Sequence, residues 1–298
     1  MEHEKHKVGS VHSTNKYGDF IITKYVNASN VHIKFLNTGY EKVTLNSCIL
    51  SGEIRDRYFP SVHGVGIVGE ESSRDSNGNK LKEYFLWNHM LTRCYGKKAK
   101  LKLPSYEDCT ASTNFKYFPY FKDWCNKQVG FGNEGWQLDK DILVKGNKIY
   151  SEDTCCFVPA EINSVFIKCD RSRGEYPLGV NYHKATRKFV AQISYRKIKT
   201  HLGLYDTAED AFKAYKKYKE KLIKSLADKY MDVLDPRVYK AMVEYEVEIG
   251  DWGVMWVDVN VVIESWQDQQ VHEYFLQVRK LKKHSVMCVE MKLIKSCV

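Results

Sequence analysis

The stretch LDKDILVKGNKIYSEDTCCFVPAEIN, residues 138–163, holds the side chains best suited to chemistry. Asp139, Lys140 and Asp141 stand in a row on a segment that reads as a strand. A tight turn at VKGN (144–147) leads into a second strand, and Asn163 follows on a short helix beginning near Pro159. The vicinal pair Cys155 and Cys156 falls in a strand-like run, so opposite faces are expected for the two thiols. Carboxylate and amide oxygens are hard donors that suit magnesium or manganese better than zinc. A carboxylate beside a cation keeps its charge and can accept a proton weakly. No histidine occurs between positions 90 and 182, so His63 and His89 could reach this stretch only through folding. The plainer reading of Asp139 and Asp141 is a solvated strand edge.

The surrounding chain must place these groups. Its 298 residues allow about two domains. With 43% hydrophobic and 28% charged residues it has the composition of a soluble globular protein. No apolar run reaches the length of a membrane span, and the opening MEHEKHKVGS lacks the apolar core of a secretory signal. Nine cysteines, an odd number without any C-x-x-C spacing, argue against a disulfide framework and against zinc. Reduced thiols in the cytoplasm fit better.

The net charge is +9, and residues 179–230 alone hold thirteen Lys/Arg against five Asp/Glu. Such a concentrated basic block points to a polyanionic partner. Within it GVNYH, KFVAQIS and KTHLGLY read as three short strands, and DTAEDAFKAYKKYKEKLIKSLADKY as one long helix. Asp206 or Thr207 would cap the helix, with Glu209 or Asp210 completing a capping box. Ala208, Ala211, Phe212, Tyr215, Tyr218 and Leu222 form its apolar face, and lysines 213, 216, 217, 219, 221 and 224 the remainder. On the middle strand the apolar set Phe189, Ala191 and Ile193 must face the helix, which turns Lys188, Gln192 and Ser194 outward. Asn181, His183, Lys199 and His201 project from the flanking strands by the same alternation, and Arg187, Arg196 and Lys197 occupy the turns. Long donors on a narrow sheet suit the major groove of double-stranded DNA, with Arg196 and Lys197 on phosphate.

Elsewhere, DFIITKY, VHIKFL, EKVTL and CILSGEIRD read as strands of a small barrel or meander, whose VHIKFLNTGY turn resembles an SH3-like accessory module over residues 1–70. PSVHGVGIVGEESSRDSNGNK (60–80) reads as a linker. Trp87, Met90, Leu91 and Cys94 mark a helix ending near Gly96, and Phe121, Trp124 and Cys125 the buried side of a helix over 119–128. After Asp251 the tail suggests strand, helix, strand, with Tyr274, Phe275, Val278 and Leu281 as a helical stripe.

GVNYHKATRKFVAQI and KTHLGLYDTAEDAFKAY resemble the plant ethylene-response-factor type of DNA-binding domain, over residues 176–232. The opening Gly-Val, the aromatic-x-Ala-x-Ile strand, the Leu-Gly before an aromatic and the Thr-Ala-Glu helix carry the likeness. In that family the sheet enters the major groove and reads bases with Arg and Trp. Here Asn181 and His183 stand where Arg is usual, and Lys199 and His201 replace an Arg and a Trp.

Residues 81–170 resemble the HNH nuclease core of phage-type homing endonucleases, carried by LDKDI, GNKIYSEDT and CCFVPAEIN. The resemblance implies a hairpin and helix gripping one divalent metal, Mg²⁺ or Mn²⁺. Asp139 and Asn163 would hold that metal, and Thr154 would take the place of a loop-pinning Asn. Lys140 then stands where the family has its histidine; in the other alignment Asp141 takes that place and Lys140 the metal position. Asp141 becomes the candidate base and Lys140 a phosphate contact. The expected protein is thus α+β and multidomain, with residues 233–298 as an extension. Its expected activity is site-specific, metal-dependent DNA hydrolysis in the host cytoplasm. The competing expectation is a repressor or replication-interfering binder that no longer cuts. RNA binding ranks lower, since Tyr182 and Tyr195 are the only evident stacking aromatics on the sheet.

Overall fold

The computed structural model describes residues 7–102, 106–166 and 175–248, and the tail stripe expected at Tyr274–Leu281 lies outside them. The described chain is α+β. It opens with a four-stranded antiparallel meander: β1 (Val11–Ser13), β2 (Asp19–Asn27), β3 (Asn30–Phe35) and β4 (Glu41–Thr44), in that order. Alternation along β2 and β3 sends Phe20, Ile22, Val31, Ile33 and Phe35 to one buried face. The segment read as a fourth strand is instead helix α1 (Asn46–Ser51), which drops Ile49 onto that face and ends at Gly52, φ 68°. Buried Asp56 closes the module by accepting from Thr38 Oγ1 at 2.6 Å and Tyr58 N at 2.8 Å.

The expected linker is packed at its first half. Val68 is buried, and Ile67 bridges to Tyr117 beside the next core. Gly66 permits this, because a Cβ there would sit 2.5 Å from Leu91 Cδ1 and 3.0 Å from the Trp87 ring. That core rests on α2 (Lys82–Tyr95), followed by α3 (Lys97–Lys102), β5 (Thr110–Ala111) and α4 (Phe118–Lys127). The expected stripes of α2 and α4 are the ones buried, with Phe115 and Phe118 added.

β6 (Trp136–Asp139), β7 (Ile149–Tyr150), β8 (Cys156–Pro159) and α5 (Ala160–Phe166) follow. The two strands expected to flank the VKGN turn do not pair with each other. β7 runs parallel to β5, while β6 pairs antiparallel with β8, leaving residues 140–155 as a long excursion. β8 is buried on both faces: Phe157, with Cys155 just before the strand, enters the α2/α4 core, Cys156 and Val158 a second core under α5. The two thiols do diverge as expected.

Last come β9 (Val180–His183), β10 (Lys188–Tyr195) and β11 (Ile198–Tyr205), in spatial order β11-β10-β9, then α6 (Ala208–Lys229) and α7 (Pro236–Val243). Thr207 caps α6, its Oγ1 accepting from Asp210 N at 3.1 Å. The first half of α6 covers the sheet through Ala211, Phe212 and Tyr215. Its second half packs Ile223, Leu226 and Ala227 against Ile142, Cys156, Val158, Ile162 and Val165. Leu234, Val238 and Met242 join that same core, so the boundary expected at 232/233 falls inside it. Tyr218, expected on the apolar face, is 38% exposed, and Lys219, expected outside, is buried with its ammonium over the Tyr215 ring.

Candidate nucleic-acid interface

The register of the three-stranded sheet decides which side chains share a face. Lys188 stands opposite His183, Val190 opposite Asn181, Gln192 opposite His201 and Ser194 opposite Lys199. Residues directly opposed in an antiparallel pair project to the same side. All seven polar residues expected to face outward therefore lie on one surface, turned away from α6. The buried set Ala191 and Ile193 faces the helix, with half-buried Phe189 beside it.

Gly179, at φ 77°, makes this packing possible: a Cβ would lie 2.0 Å from the Tyr215 ring. That is a steric reason for the Gly-Val opening. Lys188 is tethered to Asp206 at 3.1 Å and His183 bonds Thr186 Oγ1 at 2.9 Å.

One member of the outer face, Leu204, escapes simple alternation. The ladder shifts between Ala191 and Gln192, so Gly203 pairs with Ala191 and Leu204 with Val190. Half-buried Val190 and Leu204, the latter 45% exposed, thus add an apolar patch among the donors, and Tyr205 turns inward. A single-residue bulge carries little sequence signal beyond the glycine itself. Tyr182, opposite Phe189, turns to the inner side with Tyr176, and Tyr195 turns inward to bond Glu161. Neither offers a ring to a base on the outer face.

At the tip of the β10–β11 hairpin Arg196 (φ 50°) and Lys197 (φ 63°) form a two-residue turn with both residues left-handed. Asn-Gly is the usual choice there, and an ordinary L residue is strained. Arg187 (φ 55°) occupies a similar position before β10. Arg196 Nη1 lies 3.6 Å from Glu161 Oε1, and Lys197 is exposed.

Glu161 was not expected to matter. On α5 it accepts from the hydroxyls of Tyr195 and Tyr230, the latter at 2.6 Å, and from Lys229 Nζ at 2.5 Å. Lys229 and the two hydroxyls hold its carboxyl down to about 2. Burial, together with Glu161, pushes Tyr195 up to about 12. No sequence spacing links positions 161, 195 and 229, because the cluster forms only when α6 crosses α5.

The residues of the 138–163 stretch are held differently. Asp139, 9% exposed, uses Oδ1 to accept the backbone N–H groups of Asp141 (2.7 Å) and Ile142 (2.8 Å). Burial raises its pKa against those two amides. Lys140, expected on phosphate, is 6% exposed instead. Its ammonium donates to Asp141 Oδ1 at 2.6 Å and to the Asn147 carbonyl at 2.8 Å, near the Tyr106 and Tyr150 rings. Asn147, read in the sequence only as part of the VKGN turn, donates back to the carbonyls of Lys140 and Ile149. Thr154 Oγ1 donates to the Ile149 carbonyl at 2.7 Å, a loop-holding bond of the expected kind. Asn163 Nδ2 donates to Gln137 Oε1 at 2.7 Å, and Gln137 shares its face of β6 with Asp139. His63 bonds Thr92, and His89 packs at a tilt against the Phe85 ring, both on α2.

No protein-family model, no curated protein and no solved structure matches the chain. Its chemistry rests on the residues themselves.

As a cage for Mg²⁺ or Mn²⁺ the donor set is incomplete. One Asp139 oxygen is bound by two amides, Asp141 is ion-paired with Lys140, and a buried ammonium stands beside both. Among the described residues no group of three or more His, Cys, Asp or Glu side chains converges on a point. None of the described helices is long and apolar enough to cross a membrane.

Proposed function

We propose that the chain is a sequence-reading binder of double-stranded DNA, its three-stranded sheet laid in the major groove. The observation that carries this reading is the shared outer face of Asn181, His183, Lys188, Gln192, Ser194, Lys199 and His201. Amide and imidazole groups at the centre can address base edges, and the apolar Val190–Leu204 patch a thymine methyl. Arg187, Arg196 and Lys197, at the turns, would meet phosphates. The ethylene-response-factor likeness supports the same docking, with a different base preference. In this reading the β6–β8–α5 unit is a platform that seats the sheet, and the protein acts by occupying its site.

A second reading, metal-dependent DNA cleavage, is favoured by one specific arrangement. β6 and β8 form an antiparallel pair beside α5, in place of the hairpin expected around VKGN, with Thr154 bonded to Ile149 within the excursion and Asn163 reaching β6.

One experiment separates the two. Purified protein is incubated with random-sequence duplex pools and with long genomic DNA, in Mg²⁺, Mn²⁺ or EDTA, beside Asp139→Ala and Asn163→Ala. Enrichment of a defined site with no nicking in any metal supports the binder. Metal-dependent nicking lost in both variants would replace it with the nuclease. Absence of any enriched site would remove base reading altogether.

A further inference from the structure

Lys217, Lys221 and Lys224 fall four and three residues apart on α6, so they line one side of the helix. All three are exposed, and among the described residues none has an ion-pair or hydrogen-bond partner. Lys213 and Lys216 flank them, and the five lysines line one open basin with a single carboxylate, Glu220. That carboxylate is already engaged: Lys216 Nζ lies 3.1 Å away and Val247 N donates at 2.9 Å. The opposite side of α6 is the packed one, with Ala211, Phe212 and Tyr215 against the sheet. The lysines thus look away from the sheet, whose far face carries Gln192 and His201.

A row of unpaired like charges works against its own helix. Lys213 is paired with Asp210 at 2.9 Å and Lys216 with Glu220, so the uncompensated charge is that of Lys217, Lys221 and Lys224. A dense polyanion compensates such a row, and duplex DNA presents one phosphate charge per about 1.7 Å of axis. From Lys213 to Lys224 the helix rises about 16 Å, enough to follow several phosphates of one strand. Beside the stripe α6 exposes a single aromatic, Tyr218, where binders of unpaired strands stack successive bases on several rings. It also lacks a buried apolar anchor of the kind that fixes a protein partner.

We propose that this lysine stripe holds the backbone of a second double-stranded DNA segment, so that one chain bridges two duplexes. Calling it the second rests on the sheet taking the first, as proposed above. A duplex in contact with the outer face of the sheet cannot reach the stripe, because the sheet and α6 stand between them. The stripe makes no base contacts, so the second segment is taken without regard to sequence.

The test uses the full chain, a short random-sequence duplex tethered to beads, and a fluorescent duplex of the same pool added from low-salt solution. The native protein is expected to retain the fluorescent duplex on the beads. Lys217→Gln/Lys221→Gln/Lys224→Gln, with unchanged circular dichroism, is expected to hold the tethered duplex but lose about tenfold or more of the fluorescent one. Gln192→Ala/Lys199→Gln is the companion variant, directed at the sheet. A triple-lysine variant that still captures both duplexes overturns bridging and leaves the sheet reading intact. A triple-lysine variant that binds neither, beside a sheet variant that behaves like the native chain, overturns both.

Discussion

The hydroxyl of Tyr195, just before the β10–β11 turn, donates to the carboxylate of Glu161 on α5. This one bond ties the strand that carries Gln192 to the helix that carries Asn163. Lys229 and Tyr230 close on the same carboxylate from the end of α6.

Glu161→Gln should therefore lower stability by about 2 kcal/mol at neutral pH, since hydrogen bonds to a charged acceptor are worth more than neutral ones. The pH dependence has a definite sign. The folded carboxyl titrates near 2, below its ordinary value. Its stabilisation is complete above about pH 4.5 and is lost as pH falls toward 2. Denaturant melts of the native chain and the variant should converge over that interval; parallel curves would mean that Glu161 is not the clamp.

Gln192 stands opposite His201 at the centre of the outer face. Gln192→Ala should cost about 1–3 kcal/mol against the preferred base at one position and relax selection there. Site selection from random duplexes reads this directly. An unaltered preference would put the reading surface elsewhere.

Arg196 and Lys197 hold a turn that Asn and Gly would adopt more easily. Arg196→Asn/Lys197→Gly should thus stabilise the fold by about 1 kcal/mol while weakening DNA binding. The log–log salt slope should flatten by up to about 1.8, two phosphate contacts at about 0.9 each. Thermal melts and a salt titration are the measurements. A stabler protein with the native slope would show that the strain serves something other than phosphate.

Gly66→Ala should destabilise by about 1–3 kcal/mol through overpacking, because the new methyl meets Leu91 and the Trp87 ring. A neutral result in equilibrium unfolding would mean that residues 62–69 are not seated on the α2/α4 core.

The sheet and its helix were legible because the period-two and period-3.6 patterns in residues 179–230 are long, broken only at the β11 bulge and at Tyr218 and Lys219. Alternation placed Ala191 and Ile193 inward, and the structure's register agrees. The α2 stripe of Trp87, Met90, Leu91 and Cys94 was legible for the same reason. Short or sterically governed features were not. Ile49 alone anchors α1, too little for a period, so CILSG read as strand despite the Gly52 stop. Gly66 looked like linker composition, although here the missing side chain is what allows close packing. In the 138–163 stretch residue types were visible, but not their partners. Burial of Lys140 depends on Asn147 and on Tyr106 and Tyr150, which only tertiary folding brings near. The bond between Thr154 and Ile149 spans five residues and is local enough for sequence spacing to reach.

One helix, α6, serves as wall to two cores. It acts as a rigid ruler: the sheet at one end and the 140–155 excursion near the other cannot swivel independently. A duplex seated on the sheet would present the excursion with base pairs at a constant offset.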